Sequence, residues 1–225
     1  LPGDFLATKK NILLEIDRSL KRLKTDYIDL YQIHHFDRYT PIEETLEAID
    51  LIRSKGKILN LGVSNFKQKQ VQLYNSIKKN IVFSNQIEFN LFNQKKFKSK
   101  SLKDNTNLIL YGVFNQGLIS EKFLKNKNEL SYRASKSEKI RNGINSNLFK
   151  KLNILKSFSN KYNTSLGELA FNFSMSQENL LYTIVGVRTK DQLDNLLKYK
   201  KIKISIDMWN KLLHKLNNLN EKIYR

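Results

Sequence analysis

Hydrogen-bonding side chains stand where the short apolar segments of this chain end. The pair His34-His35 closes one such segment, and Ser64-Asn65 closes the next. Gln86, Tyr111 and Arg188 lie in corresponding places further along. Because active sites of parallel α/β proteins lie at the carboxyl ends of the strands, these residues predict a single site. Amides, an aromatic face, glycines and a cation would suit an amide-bearing aromatic ring attached to a phosphate chain.

A nicotinamide dinucleotide has that composition, and several other chemistries lack their usual residues. The sequence contains no Ser-His-Asp spacing and no acidic cluster typical of a metal site, so we expect no metal. Cysteine is absent, which excludes disulfides, thiolate metal ligands and a cysteine nucleophile. The first strand runs directly into His34 instead of a Gly-x-Gly-x-x-Gly turn, and no Gly-x-x-x-x-Gly-Lys loop occurs either.

The elements that must position these residues alternate between short apolar strands and amphipathic helices. This rhythm predicts βαβ units and a parallel sheet, in an open doubly wound fold or in part of a barrel. The predicted strands are 27–33, 57–63, 81–87, 108–113 and 181–185. The predicted helices are 10–24, a helix capped by Thr40, 68–78, 153–162, 165–176, 191–198 and 207–219, with a weak one near 95–103. The polar stretch 125–147 is predicted to be a loop.

The chain has 225 residues, 40% of them hydrophobic, which is enough for one well-packed domain. The formal net charge is +19, with a pI near 9.9. Such a balance is compatible with a nucleic-acid partner, but the basic residues are dispersed, and we expect none. No apolar run is long enough for a membrane span, no signal peptide is visible, and we expect a cytoplasmic protein. Homo-oligomerisation stays open.

Several segments match one family in order and at suitable spacing. The segment Ser19 to His34 strongly resembles the aldo-keto reductase signature that leads to the catalytic histidine. Gly62 to Phe66 and Asn85 to Asn90 resemble later family motifs. Tyr111 to Phe123 and Gly186 to Leu193 resemble its phosphate-binding segments, in the variant of the bacterial and potassium-channel beta-subunit branch. The resemblance implies a (β/α)8 TIM barrel, of which residues 1–225 would be the C-terminal two-thirds, about strands 4 to 8, forming a single domain.

The resemblance also implies residue roles. His34 would be catalytic, orienting or polarising the substrate carbonyl, with a structural histidine as the alternative. Its neighbour His35 is expected to line the pocket or to be structural, with its side chain pointing the other way. The residues expected to bind the cofactor, NADP(H), are Ser64, Asn65, Gln86, Tyr111, Gly112, Val113, Phe114, Asn115, Gln116, Lys122, Arg133, Gly186, Arg188, Gln192 and Asn195. Lys122 and Arg133 would alternatively be ordinary solvated charges.

The chain departs from the family at four points. No candidate for the family's catalytic tyrosine and aspartate occurs, and we expect those residues upstream of residue 1. Lys9 stands in a context similar to that of the family's catalytic lysine, but it lies so close to the first helix that a place in the helical turn is the alternative. Leu196 stands where an adenine-contacting asparagine is usual, and the helix after Gln86 looks a turn short.

The expected activity is NADP(H)-dependent reduction of an aldehyde or ketone, a small-molecule carbonyl substrate, to an alcohol by hydride transfer. The alternative is an NADP(H)-binding regulatory or scaffold subunit with little turnover. Five strands cannot close a barrel, and open edges would template aggregation, so we expect a longer native protein.

Overall fold

The computed structural model describes residues 6–94, 106–126, 128, 130 and 135–221. Its strands confirm the five predicted from the sequence, within two residues at nearly every end. They are β1 (Ile28–Ile33), β2 (Ile58–Ser64), β3 (Val82–Glu88), β4 (Asn107–Tyr111) and β5 (Leu180–Thr183). In the sheet they follow one another in chain order, and β1 with β2 and β2 with β3 are parallel.

In the described part of the chain, helices separate β1 from β2, β2 from β3 and β4 from β5, as the apolar periodicity predicts. In the first part of the chain they are α1 (Lys9–Leu23), α2 (Ile42–Ser54) and α3 (Gln68–Ile77). The later ones are α4 (Glu121–Lys125), α5 (Glu138–Asn142), α6 (Ser146–Lys161), α7 (Leu166–Met175), α8 (Lys190–Leu197) and α9 (Ile206–Glu221), with a 3-10 turn over Asn115–Gly117. Of the described residues, no helix combines the length and apolar character needed to cross a membrane.

The chain divides into two compact units. The first comprises residues 1–87, 96–109 and 179–181, and the second comprises 88–95, 110–178 and 182–225. The interpretation of the chain as a single domain stays a prediction.

The core of the first unit lies where α1 and α2 pack beside β1 and β2. Ile16, Ile49, Leu61 and Phe66 are fully buried there. The Oγ1 of Thr8 caps α1 by accepting a hydrogen bond from Asn11 N at 3.3 Å.

Two local predictions were wrong. Thr40 does not cap α2, because Pro41 occupies the N-cap position and the amide of Thr40 bonds to Asp37. The polar stretch 125–147 is not all loop, since α5 lies within it and α6 begins at Ser146, seven residues before the predicted start. Asn145 caps α6 through its Oδ1, a local signal that outweighs the polarity of the segment.

Asp37 is a buried carboxylate that ties the residue before α1, Ala7, to the loop 37–40. Its Oδ2 accepts from Ala7 N at 2.8 Å, and its Oδ1 accepts from Tyr39 N at 2.8 Å and from Thr40 N at 3.3 Å. Burial alone would raise the pKa of Asp37, but these bonds and one from the Thr40 side chain hold it below its ordinary value. The ionised form therefore stabilises the fold.

We expect Asp37→Asn to lower the free energy of unfolding by about 1 kcal/mol at pH 7, because bonds to a charged acceptor are stronger than bonds to a neutral one. The folded pKa of Asp37 is depressed, so its contribution is complete above the unfolded pKa of about 3.9 and is lost as pH falls through the folded pKa. Urea unfolding of parent and variant from pH 7 to pH 3 measures this difference. Asp29→Asn, at an exposed position, is the control. A gap that stays constant down to pH 3 contradicts the prediction.

Candidate functional site

In the first unit, the ends of β2 and β3 bring three predicted cofactor residues together. The hydroxyl of Ser64 donates to the backbone oxygen of Gln86 at 3.2 Å, and Asn65 N donates to the same oxygen at 2.8 Å. The Nδ2 of Asn65 donates to Ser64 Oγ at 3.2 Å. Asn65 has a φ of 59°, so the chain leaves β2 through a left-handed turn that holds the asparagine beside the serine.

Gln32 joins this cluster from β1, a role that the sequence did not reveal. Its Nε2 donates to Gln86 Oε1 at 3.1 Å. Because the oxygen of Gln86 is occupied in this way, its own amide N–H groups are left to donate to a ligand. The only signal in the sequence is that Gln32 is one of two polar side chains, with Asp29, in the strand Ile28 to Ile33.

Gly62 on β2 opens the space that this contact needs. It pairs with Gln32 on one side and Ser84 on the other. A Cβ at this position would come within 2.8 Å of Gln32 Cγ and 3.0 Å of Ser84 Oγ. A glycine is therefore required for the side chain of Gln32 to reach Gln86.

The two histidines follow β1, which ends at Ile33. Their rings stack, with centroids 4.2 Å apart and planes inclined by 30°, and both side chains are exposed. The expectation that His35 points away from His34 is therefore wrong. The alternation of side chains holds only within extended strand, and both histidines lie beyond its end.

Lys9 is the first residue of α1. Its backbone N donates to Glu44 Oε1 at 2.9 Å, and its Nζ forms an exposed ion pair with Glu47 Oε2 at 3.3 Å. Of the two interpretations of Lys9, this geometry favours the helical turn, with the ammonium held toward α2.

In the second unit, the segment after β4 forms a tight loop with several left-handed residues. Gly112 (φ 71°), Asn115 (46°), Gln116 (60°) and Gly117 (89°) all have positive φ. The carbonyl of Gly112 accepts from Asn115 N at 2.8 Å, which closes the turn. Tyr111, Gly112, Phe114, Asn115 and Gln116 are all partly exposed, as cofactor contacts require. Val113 is 2% exposed, so its side chain belongs to the core and only its backbone faces the loop.

Asn90 supports this loop and was missed as a site residue. It is 1% exposed, and its Nδ2 donates to the carbonyl of Gly112 at 3.1 Å while its Oδ1 accepts from Phe92 N at 3.0 Å. The signal available was a buried asparagine in the segment resembling a family motif.

The candidate adenosine residues lie around the start of α8. The helix is capped by Thr189, whose Oγ1 accepts from Gln192 N at 3.2 Å. The Oε1 of Gln192 accepts from Arg188 N at 2.7 Å, so this glutamine shapes the turn that carries the arginine. Gly186, Arg188, Gln192 and Asn195 are exposed, and a Cβ on Gly186 would meet no atom within 4 Å.

Of the two expected phosphate cations, Lys122 and Arg133, the structure describes Lys122. Lys122 lies on the short helix α4 and is exposed. Arg133 lies outside the described residues, as do the weak helix near 95–103 and the shortening suspected after Gln86.

The residues present fit a nicotinamide cofactor. Gln32 Oε1 and Ser84 Oγ are buried and have no hydrogen-bond partner within the described part of the chain, so the first unit holds polar atoms that a ligand amide or a water could satisfy. In the second unit, an arginine at a helix N-terminus suits a phosphate. Among the residues that the structure describes, no three histidine or acidic side chains lie close enough together to hold a metal ion.

Comparisons with known proteins identify relatives of this chain. Aldo-keto reductase YhdN of Bacillus subtilis (strain 168) is 40% identical over 119 residues, which are 52% of this chain and 35% of that protein. A probable voltage-gated potassium channel subunit beta of Oryza sativa subsp. japonica is 27% identical over 209 residues, covering 88% of this chain and 63% of that one. Among solved structures, the glycerol dehydrogenase AKR11B4 from Gluconobacter oxydans superposes with a TM-score of 0.77 at 23% identity, covering 94% of this chain and 64% of that one.

The chain spans less than two thirds of the length of each of these relatives. The sequence model of the Aldo/keto reductase family matches residues 2–217, which are almost the whole of this chain. This extent, together with the fold shared with a solved relative, leads to one assignment. The chain belongs to the aldo/keto reductase family.

Proposed function

We propose that this protein is an NADP(H)-dependent oxidoreductase that reduces aldehyde or ketone carbonyls to alcohols. Its five strands would correspond to the fourth through eighth of a (β/α)8 barrel. Family membership supports carbonyl reduction in general. The preference for NADP(H) and the residue roles rest on the geometry described above and on the resemblance of the motifs.

The observation that carries the proposal is the cluster of Gln32, Ser64, Asn65 and Gln86. One carbonyl, that of Gln86, accepts from both Ser64 and Asn65, so two strand ends are locked together. The cluster offers amide and hydroxyl groups in a fixed arrangement. A carboxamide is the ligand group that such an array recognises, because it both donates and accepts.

Bound NADPH would supply the hydride to the carbonyl carbon, and an acidic group of the intact protein or water would supply the proton that completes the alcohol. The amides of the first unit would fix the carboxamide and so present one face of the nicotinamide ring. His34, exposed beyond β1, would donate a hydrogen bond from a ring nitrogen to the substrate carbonyl oxygen. By the resemblance of its motif, the ring of Tyr111 would stack on the nicotinamide. The loop 112–116 would follow the pyrophosphate, and Arg188 would bind the 2′-phosphate.

Single-turnover kinetics with the intact protein, NADPH and a panel of reactive aldehydes and ketones tests this function. The expected result is loss of NADPH absorbance at 340 nm with formation of the alcohol. Tight NADPH binding without turnover of any carbonyl in the panel would contradict the enzyme assignment.

The hydrogen bond from Gln32 to Gln86 gives a prediction at Gly62. We expect Gly62→Ala to weaken NADPH binding by about 2- to 10-fold, since the added methyl displaces Gln32 and costs about one hydrogen bond. Fluorescence titration measures this change. Gly56→Ala is the control, because a Cβ there meets nothing within 4 Å and its cost falls on the stability of a left-handed turn. Unchanged affinity in Gly62→Ala would exclude this role for Gln32.

The second candidate is an NADP(H)-binding regulatory or scaffold subunit. The observation that favours it is the similarity to a plant protein described as a probable potassium channel subunit beta, over 88% of this chain. The carbonyl panel separates the two functions, because a scaffold would bind the cofactor without turnover. The cytoplasmic location and the absence of a nucleic-acid partner stay predictions, and homo-oligomerisation stays open.

A further inference from the structure

Tyr199 connects parts of the second unit that are distant in sequence. It lies one residue beyond the C-cap of α8, where its N donates to Leu196 O at 3.1 Å. Its ring contacts Phe171 on α7, with centroids 5.9 Å apart, and its hydroxyl is hydrogen-bonded to the side chain of Ser165, the N-cap of α7.

The same ring contacts the loop after β4. Phe114 meets Tyr199 edge to face, with centroids 6.5 Å apart and planes at 88°. The carbonyl of Phe114 accepts from Gly117 N at 2.9 Å and Ile119 N at 3.1 Å, so this residue is the anchor of the turn. Tyr199 therefore contacts both α7 and the loop 113–117, and it ends the helix that begins beside Arg188.

Helix α7 also holds the segment that follows Tyr199. Glu168 Oε1 accepts from Lys200 N at 2.7 Å. Asn172 donates to Lys200 O at 2.9 Å and accepts from Ile202 N at 2.8 Å. The backbone on the C-terminal side of Tyr199 is thus fixed to α7, and the tyrosine ring extends this attachment to the loop.

Gly167 leaves the space for the tyrosine hydroxyl. A Cβ on Gly167 would overlap the Tyr199 hydroxyl oxygen and would lie 3.3 Å from its Cζ. Burial raises the pKa of the Tyr199 hydroxyl above its ordinary value, and the nearby carboxylates of Glu121 and Glu168 add to this effect. The hydroxyl is therefore held as a neutral group against the first turn of α7.

We propose that Tyr199 is a positioning residue for the cofactor. It attaches the loop 113–117 and helix α8 to one common support, helix α7. The effect on the cofactor rests on the proposed function, whereas the effect on the loop and helix does not. If loss of the ring leaves one tenth of the molecules with both segments in place, NADPH affinity falls about tenfold.

The experiment compares four variants in the intact protein by NADPH fluorescence titration. We expect Tyr199→Ala to weaken binding about tenfold and Tyr199→Phe, which keeps both ring contacts, to bind within about twofold of the parent. Gly167→Ala should weaken binding about 3- to 10-fold by displacing the hydroxyl. Combining Gly167→Ala with Tyr199→Phe should restore affinity, since the overlapping oxygen is gone. If Gly167→Ala weakened binding only by destabilising α7, adding Tyr199→Phe would not restore the affinity.

Hydrogen exchange without cofactor gives a second measurement. In Tyr199→Ala and Gly167→Ala, backbone amides of residues 115–119 and of α8 should exchange faster, while those of the buried face of α6 should be unchanged. If the double variant binds as weakly as Gly167→Ala, or if exchange in both segments equals that of the parent, the role of Tyr199 is wrong. If the parent fails to bind NADPH but the exchange pattern appears, the proposed function fails and the positioning role stands.

Discussion

His34→Ala should reduce the rate of hydride transfer by about a hundred- to a thousandfold while leaving NADPH affinity within a few-fold of the parent. His34 is exposed beyond the end of β1. Under the proposed function, its ring would donate to the carbonyl oxygen on which negative charge develops. Loss of one oriented donor of this kind raises the barrier of the chemical step. Single-turnover kinetics with a reactive aldehyde measures the rate, and fluorescence titration measures the affinity.

The stacked neighbour His35 provides the matched control. Because its ring lies 4.2 Å from that of His34, His35→Ala removes a contact that orients His34. We expect a smaller loss than in His34→Ala, and His35→Phe should restore much of it by keeping a stacked ring. If His34→Ala turns over like the parent, His34 has no catalytic role. If His35→Ala is the more damaging change, the two roles have been assigned to the wrong histidines.

Arg188→Ala should weaken NADPH binding by about ten- to a hundredfold and leave NADH binding nearly unchanged. The turn before α8 holds Arg188 through the bond from its N to Gln192 Oε1, so the guanidinium starts from a fixed backbone at a helix N-terminus. A charge-assisted bond to a phosphate contributes about 1.5–3 kcal/mol, and NADH lacks the 2′-phosphate. Titration of parent and variant with both cofactors gives the preference directly.

Lys198→Ala controls for the general positive charge of the protein. Lys198 is exposed at the opposite end of α8, so the variant loses the same charge without losing a group near the helix start. It should retain the parent's preference for NADPH at physiological salt, where exposed charges beyond about 8 Å are largely screened. Equal affinities for NADPH and NADH in the parent would count against NADP(H) as the cofactor.

Apolar segments in the sequence were sufficient to place every strand that the structure describes, because each is a short apolar run bounded by turn residues and helical patterns. The polar residues after those runs, such as Ser64 and Asn65, followed from the strand ends alone. The bond of Gln32 to Gln86 did not, because it joins residues 54 apart and depends on the empty space above Gly62. Such a contact is a property of register, which periodicity does not determine.

The rules of local structure failed where an element ended. The histidine pair was assigned opposite directions by strand alternation, yet β1 stops at Ile33. Thr40 has the sequence of an N-cap, but its side chain and its amide both bond to the buried carboxylate of Asp37, and Pro41 takes the N-cap position. For Tyr199, which lies among lysines, the sequence offered no signal, since its importance comes from Phe114 and Gly167 on other segments.

The left-handed turns of this protein have a consequence for its unfolded state. In the described part of the chain, five of the seven non-glycine residues with positive φ are asparagines: Asn65, Asn80, Asn115, Asn163 and Asn179. Asparagine tolerates this conformation better than other residues with a Cβ, and it has fewer accessible backbone states than glycine when unfolded. Each of these turns therefore forms with a smaller loss of backbone entropy than a glycine would incur, set against a modest strain in the folded chain.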